Sequence, residues 1–208
     1  LEEAKELGIR LIDQAPRPVD DERAEVIKYG LQILIGEVPK IFVMLAIAWI
    51  LGVVKYTLLC FVLMLPYRMY SGGFHLKTHI GCIIGTSALY IGNAFVSQFV
   101  HIEFMYKIIA SVLLWIFAII MIYKYAPADT EAVPVVSKKE RRKRRIMSYI
   151  VVTIMLICVC CIKYELVSNM LLIGSFLQTL TITRVAYRLT NNKYGYEEYL
   201  KQKEVVIN

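Results

Sequence analysis

The stretch YRMYSGGFHLKTHIGC, residues 67–82, lies between two apolar runs, and its reading decides how the rest of the chain is arranged. It holds an arginine, a Gly-Gly pair, two of the three histidines and one of the five cysteines. Such a density of reactive side chains in a polar gap is either a linker or a site.

Outward from it, apolar runs cover residues 36–54 and 56–67 on one side and 80–99, 104–125, 147–163 and 166–187 on the other. A helix needs about 20 apolar residues to cross about 30 Å of hydrocarbon. Most of these runs approach that length. The run 56–67 is the short one, reaching only about 18 Å at about 1.5 Å per residue, so it crosses only if flanking residues extend it. Apolar residues make up 58% of the chain and the mean hydropathy is +0.56, more than a water-soluble protein of 208 residues can bury. The expected fold is therefore all-α: a polytopic membrane helical bundle of about six transmembrane helices with an N-terminal amphipathic helix.

Six crossings with both termini in the cytoplasm satisfy the positive-inside rule. Only Lys55, Lys107 and Lys163 then fall on or beside the outer loops, out of 24 Lys and Arg. The net charge of +7 speaks for orientation and anionic lipid. KKERRKRR, residues 138–145, has the composition of a nucleic-acid-binding run. In a polytopic chain it reads instead as a basic loop touching anionic lipid or an acidic partner segment, with no nucleic acid expected.

The N-terminal segment, residues 1–28, reads as cytoplasmic or interfacial. Leu1, Ala4, Leu7, Leu11 and Ala15 recur at helical spacing, which suits a helix lying on the inner membrane face. The prolines in APRPVDD, residues 15–21, end it, and a second helix carries Ala24, Ile27, Leu31, Leu34 and Val38 up to Pro39. The first 30 residues hold eight acidic residues and no compact apolar core, so no signal peptide is expected. The membrane domain is assigned to residues 29–190, with the loop 67–82 and a basic cytoplasmic loop over 126–146. Residues 191–208 form a cytoplasmic tail.

Cys60, Cys158, Cys160 and Cys161 lie inside apolar runs, where cysteine packs as a small hydrophobe, and no disulfide framework is expected. Cys82 stands elsewhere, at the point where the polar stretch becomes an apolar helix. Thr78 can cap that helix, placing Cys82 near its first turn, where backbone amides favour a thiolate. The thiolate is the nucleophile, and an unperturbed thiol with pKa about 8.5 is mostly protonated at neutral pH.

His75 precedes Cys82 by seven residues. On one straight helix they would be separated by about 10.5 Å, too far for a catalytic pair. The histidine segment must fold back, and Gly72, Gly73 and Gly81 permit it. Three readings remain open from the residues alone: a Cys82–His75 nucleophilic pair, with His79 a competing partner; a zinc site on His75, His79 and Cys82; or plain interfacial structure. Arg68 either binds a carboxylate or developing negative charge, or anchors the interface. A non-catalytic peptide transporter or scaffold is the competing function, although the apolar runs carry little internal charge for an ion pathway.

Arg68, Gly72, Gly73, His75 and Cys82 ahead of an apolar run, together with YGLQILIGEVPKIFVM at 29–44 and YAPADT at 125–130, resemble the accessory gene regulator B (AgrB) family. Members of that family are membrane cysteine endopeptidases of quorum sensing. The resemblance implies a bacterial cell-membrane protein with its site on the cytoplasmic side, a homodimer, and no metal or cofactor. It implies catalysis by Cys82 and His75, with Arg68, Gly72 and Gly73 binding substrate or stabilising the transition state. The implied substrate is a signal propeptide with an amphipathic N-terminal helix and an acidic C-terminal tail. Cleavage through a thioester on Cys82 would enable its cyclisation to a thiolactone or lactone.

Overall fold

The computed structural model describes residues 38–207 apart from Lys77, Ala132 and Val133. The expected interfacial helix over 1–15 and the helix leading from Ala24 as far as residue 37 lie outside the described residues, as does the whole of segment 1–28. Eight helices follow: α1 (Val38–Ile50), α2 (Val54–Ser71), α3 (His79–Phe99), α4 (Phe104–Tyr125), α5 (Lys138–Cys161), α6 (Glu165–Thr181), α7 (Arg184–Leu189) and α8 (Gly195–Ile207). No strand occurs among the described residues, so the fold is all-α as expected.

Three helices, α3 from Ile80, α4 and α5, are long and apolar enough to cross a membrane. Only 28–33% of the apolar window of each is buried within the protein. Their outer faces, such as Ile109, Val112, Leu113, Ile116 and Ile120 on α4, are exposed aliphatic surface of the kind that hydrocarbon covers. A helix falls on each of the six expected crossings, and these three meet the length and composition for crossing. Of the others, α1 is short, α6 has 17 residues, and α2 carries Lys55 and Arg68.

α2 shows how its short apolar run is accommodated. The helix extends beyond residues 56–67 at both ends to 18 residues, or about 27 Å. Pro66 sits inside it without ending it; the helix stops at Gly72, whose φ of 72° is open to glycine at little cost.

α6 is the central helix, packed against α2, α3, α4 and α5. Beside Met170, Leu171 and Leu172 its buried face carries many small and polar residues, among them Ser168, Asn169, Gly174, Ser175 and Gln178. Gly174 lies directly against Met64 and Asn93, leaving no room for a Cβ. Asn93 donates to the Met170 carbonyl at 3.1 Å, and Asn169 to the Val100 carbonyl at 2.7 Å. Close approach at small residues and hydrogen bonds between helices are what hold bundles together where lipid removes the hydrophobic drive.

The basic run 138–145 is not a loop. Ser137 caps α5 by accepting from the Glu140 amide at 3.4 Å, so the run forms the first two turns of the helix that continues to Cys161. Two of its arginines turn inward, Arg141 to Asp129 at 2.8 Å and Arg145 to the Ala126 carbonyl at 2.8 Å, while Arg144 pairs along the helix with Glu140 at 3.1 Å. Lys138, Lys139, Arg142 and Lys143 face outward.

Candidate active site

The end of α2, the turn 72–78 and the start of α3 form the site, and two distant segments fix its shape. Ala128, in the connection between α4 and α5, pairs with the glycine turn: its amide donates to the Ser71 carbonyl at 2.8 Å, and its carbonyl accepts from the Gly73 amide at 2.8 Å. A Cβ on Gly72 would collide with the Ala128 carbonyl. One on Gly73, at φ 141°, would collide with the Arg68 guanidinium and Thr181. Both glycines are required by positive φ and by close approach together.

The end of α6 supplies the other brace. Gln178 donates to the Ser71 hydroxyl at 2.9 Å and the Gly72 carbonyl at 2.8 Å, and the Phe74 amide donates to the Thr181 carbonyl at 3.3 Å. Arg68 completes the clamp with its planar fork, donating to the Phe74 carbonyl at 2.8 Å and to the Thr181 hydroxyl at 3.2 Å.

The chain therefore leaves α2, reverses at the two glycines and runs back across the start of α3. Leu76 lies over Gly81 and Gly85; a Cβ on Gly85 would crowd the Leu76 side chain, whereas one on Gly81 would meet the Thr78 hydroxyl. The fold-back required by the helix arithmetic is present: His75 Nδ1 is 4.0 Å from Cys82 Sγ. The His75 ring is exposed, whereas Cys82 is 7% exposed and opens onto a narrow cleft lined by Arg68, Phe74, Leu76, Gly85, Thr86 and Leu89.

Thr78 caps α3, its hydroxyl accepting from the Gly81 amide at 3.1 Å, while the Cys82 amide donates to the Thr78 carbonyl at 2.9 Å. Both amides are thus engaged in the helix start. Neither is open to a further acceptor; the Arg68 guanidinium, though bonded to Phe74 and Thr181, lines the cleft and has N–H donors beyond those two bonds. The side chain of His79 lies outside the described residues. Among the described residues no group of three His, Cys, Asp or Glu side chains is placed to share a metal ion.

Ala128, Gln178, Thr181 and Asn192, whose side-chain amide donates to the His75 carbonyl at 2.7 Å, are the residues that sequence reasoning missed. For Gln178 and Thr181 a signal existed, since polar side chains end an otherwise apolar run. Thr86, one helical turn beyond Cys82 on the same face, was legible from spacing alone.

The fold and site define a helical membrane protein with a cysteine–histidine pair held where two helices and a glycine turn meet. The chain belongs to the quorum-sensing family accessory gene regulator B (AgrB), whose family model matches residues 9–182. It is 28% identical over 187 residues to an AgrB-like protein of Listeria innocua, covering 86% of this chain and 87% of the relative. To an AgrB-like protein of Clostridium acetobutylicum it is 23% identical over 180 residues, covering 85% and 84%. To the accessory gene regulator protein B of Staphylococcus intermedius it is 26% identical over 156 residues, covering 75% and 80%. No solved structure matches the chain.

Proposed function

We propose that this protein is a membrane-embedded cysteine endopeptidase that removes the C-terminal tail of a signal propeptide. The observation that carries the reading is the approach of His75 Nδ1 to Cys82 Sγ at 4.0 Å, produced by a turn that α2, α6 and the Ala128 segment all brace. Nucleophile and base within reach of one another, with the base oriented by further groups, is the general signature of nucleophilic catalysis.

In this reading His75 takes the Cys82 proton as Sγ attacks the scissile carbonyl, and returns it to the departing amine. The C–N bond breaks, the tail leaves with a free amino terminus, and the signal segment stays as a thioester on Cys82. A nucleophile within the propeptide, a thiol or a hydroxyl, then attacks the thioester and closes the ring, releasing the Cys82 thiol. Burial of Cys82 in a narrow, largely apolar cleft restricts water, whose attack would end the sequence in a linear peptide.

Arg68 is the group we assign to the developing oxyanion, and Gly72 and Gly73 shape the approach of the substrate backbone. The site opens on the cytoplasmic side of a six-crossing bundle in the bacterial cell membrane. Lys138, Lys139, Arg142 and Lys143 project from α5 and suit both anionic lipid and an acidic propeptide tail. The protein acts as a homodimer.

The test is substitution in membranes co-expressing the propeptide. Cys82→Ala and His75→Ala each abolish cleavage with insertion intact, and His79→Ala is tolerated. Cleavage that survives Cys82→Ala overturns the reading; peptide movement with Cys82 replaced and no covalent adduct would favour a transporter or scaffold.

A further inference from the structure

We infer that Asn192, beyond the stretch matched by the family, is a positioning residue that holds His75 over Cys82; this rests on the proposed pair. The turn that presents it follows from local sequence. α7 ends at Leu189 with Thr190 as its C-cap, and Asn191 takes φ 54°, a left-handed conformation that asparagine tolerates better than most residues. The Asn192 amide then reaches back to the Tyr187 carbonyl at 2.8 Å and the Asn191 amide to the Arg188 carbonyl at 3.1 Å, the paired bonds of a Schellman motif. This turn aims the Asn192 side chain at the histidine loop.

There its amide donates to the His75 carbonyl at 2.7 Å and to the Thr190 hydroxyl at 2.8 Å. Both are acceptors here, and a carbonyl cannot be anything else, so the NH2 end of the side chain faces His75.

The segment carrying Asn192 is firmly tied. Tyr187 and Tyr194 stack with ring centroids 4.1 Å apart and planes within 3°. The Tyr187 hydroxyl donates to the Asp129 carbonyl at 3.0 Å, and that of Tyr194 to the Ile182 carbonyl at 2.8 Å. Burial pushes the Tyr194 phenol above its ordinary range, so it remains a neutral donor near neutral pH.

Asp129 adjoins Ala128, which pairs with the glycine turn. The C-terminal segment and that turn therefore share one anchor, and Asn192 bridges them at the residue that matters for the chemistry. His75 is exposed, and a displacement of about 1 Å in a catalytic group can cost about a hundredfold in rate. A hydrogen bond to the His75 backbone restricts the histidine loop directly.

The experiment uses the full chain in lipid vesicles and iodoacetamide as the probe, with alkylation of Cys82 followed by peptide mass spectrometry across neutral pH. Asn192→Ala is expected to lower the alkylation rate by about tenfold and to move the pH profile towards that of His75→Ala. Asn191→Gly keeps the turn and behaves as the parent protein. Asn192→Asp, equal in size but unable to donate as a carboxylate, repeats the Ala result and serves if Asn192→Ala fails to fold. A parental profile for both Asn192 variants, with His75→Ala still slowed, overturns the inference and leaves the pair intact. A parental profile for His75→Ala overturns the pair and the inference with it.

Discussion

The Arg68 guanidinium holds the Phe74 carbonyl at 2.8 Å, binding the end of α2 to the residue just before His75. The same fork reaches Thr181 at 3.2 Å, so one side chain joins α2, the histidine turn and α6. A lysine at this position keeps the charge but has one nitrogen where two are needed. Arg68→Lys is expected to reduce propeptide cleavage by about tenfold or more with insertion unchanged, measured as initial rates in membrane vesicles. A parental rate would show that the fork is dispensable.

Three glycines separate conformational need from mere smallness. Gly72→Ala and Gly73→Ala each force a Cβ into backbone or side-chain atoms at positive φ. Each should cost at least about 1–3 kcal/mol, read as a lowered unfolding temperature in detergent and loss of cleavage. A Cβ on Gly92, within α3, would meet nothing within 4 Å, so Gly92→Ala should be neutral or stabilise by up to about 1 kcal/mol. Equal behaviour of all three would contradict the turn geometry.

Asp129 has a side chain 1% exposed, paired with Arg141 at 2.8 Å and accepting from the Val135 amide at 2.8 Å. Removing one partner of a buried pair costs about 3–5 kcal/mol because the other is left without compensation. Asp129→Ala should therefore lower the unfolding temperature clearly, and cleavage should fall with it, since Asp129 adjoins the segment that pins Gly73. Arg142→Ala, on the outward face of the same helix, should leave the unfolding temperature within error.

A thiol–imidazole pair requires no metal, so cleavage should persist after exhaustive treatment with a chelator. The reading with zinc on His75, His79 and Cys82 predicts stoichiometric zinc and loss of cleavage on chelation. Elemental analysis beside the cleavage assay decides between them.

What the sequence made legible is whatever depends on neighbours along the chain. Hydropathy locates the helices, Thr78 is readable as a cap, and spacing alone shows that His75 has to fold back on Cys82. What fixes that fold-back is not legible, because its partners lie far away: Thr181 is 113 residues from Arg68, and Asn192 is 117 from His75. The basic run reads as a loop in sequence because eight charged residues look solvated in isolation. The cap at Ser137 and the inward partners of Arg141 and Arg145 make it helical. The amides of Gly81 and Cys82 are both taken up by Thr78 at the helix start.

The most direct measurement is a trap. Purified protein in vesicles is incubated with a propeptide whose ring-forming residue has been replaced, and the intact mass and the Cys82 peptide are measured. The account predicts an adduct equal to the signal segment without its tail, joined to Cys82 as a thioester that hydroxylamine removes, and missing from Cys82→Ala. Tail release with no adduct on Cys82, or an adduct on another cysteine, would contradict it.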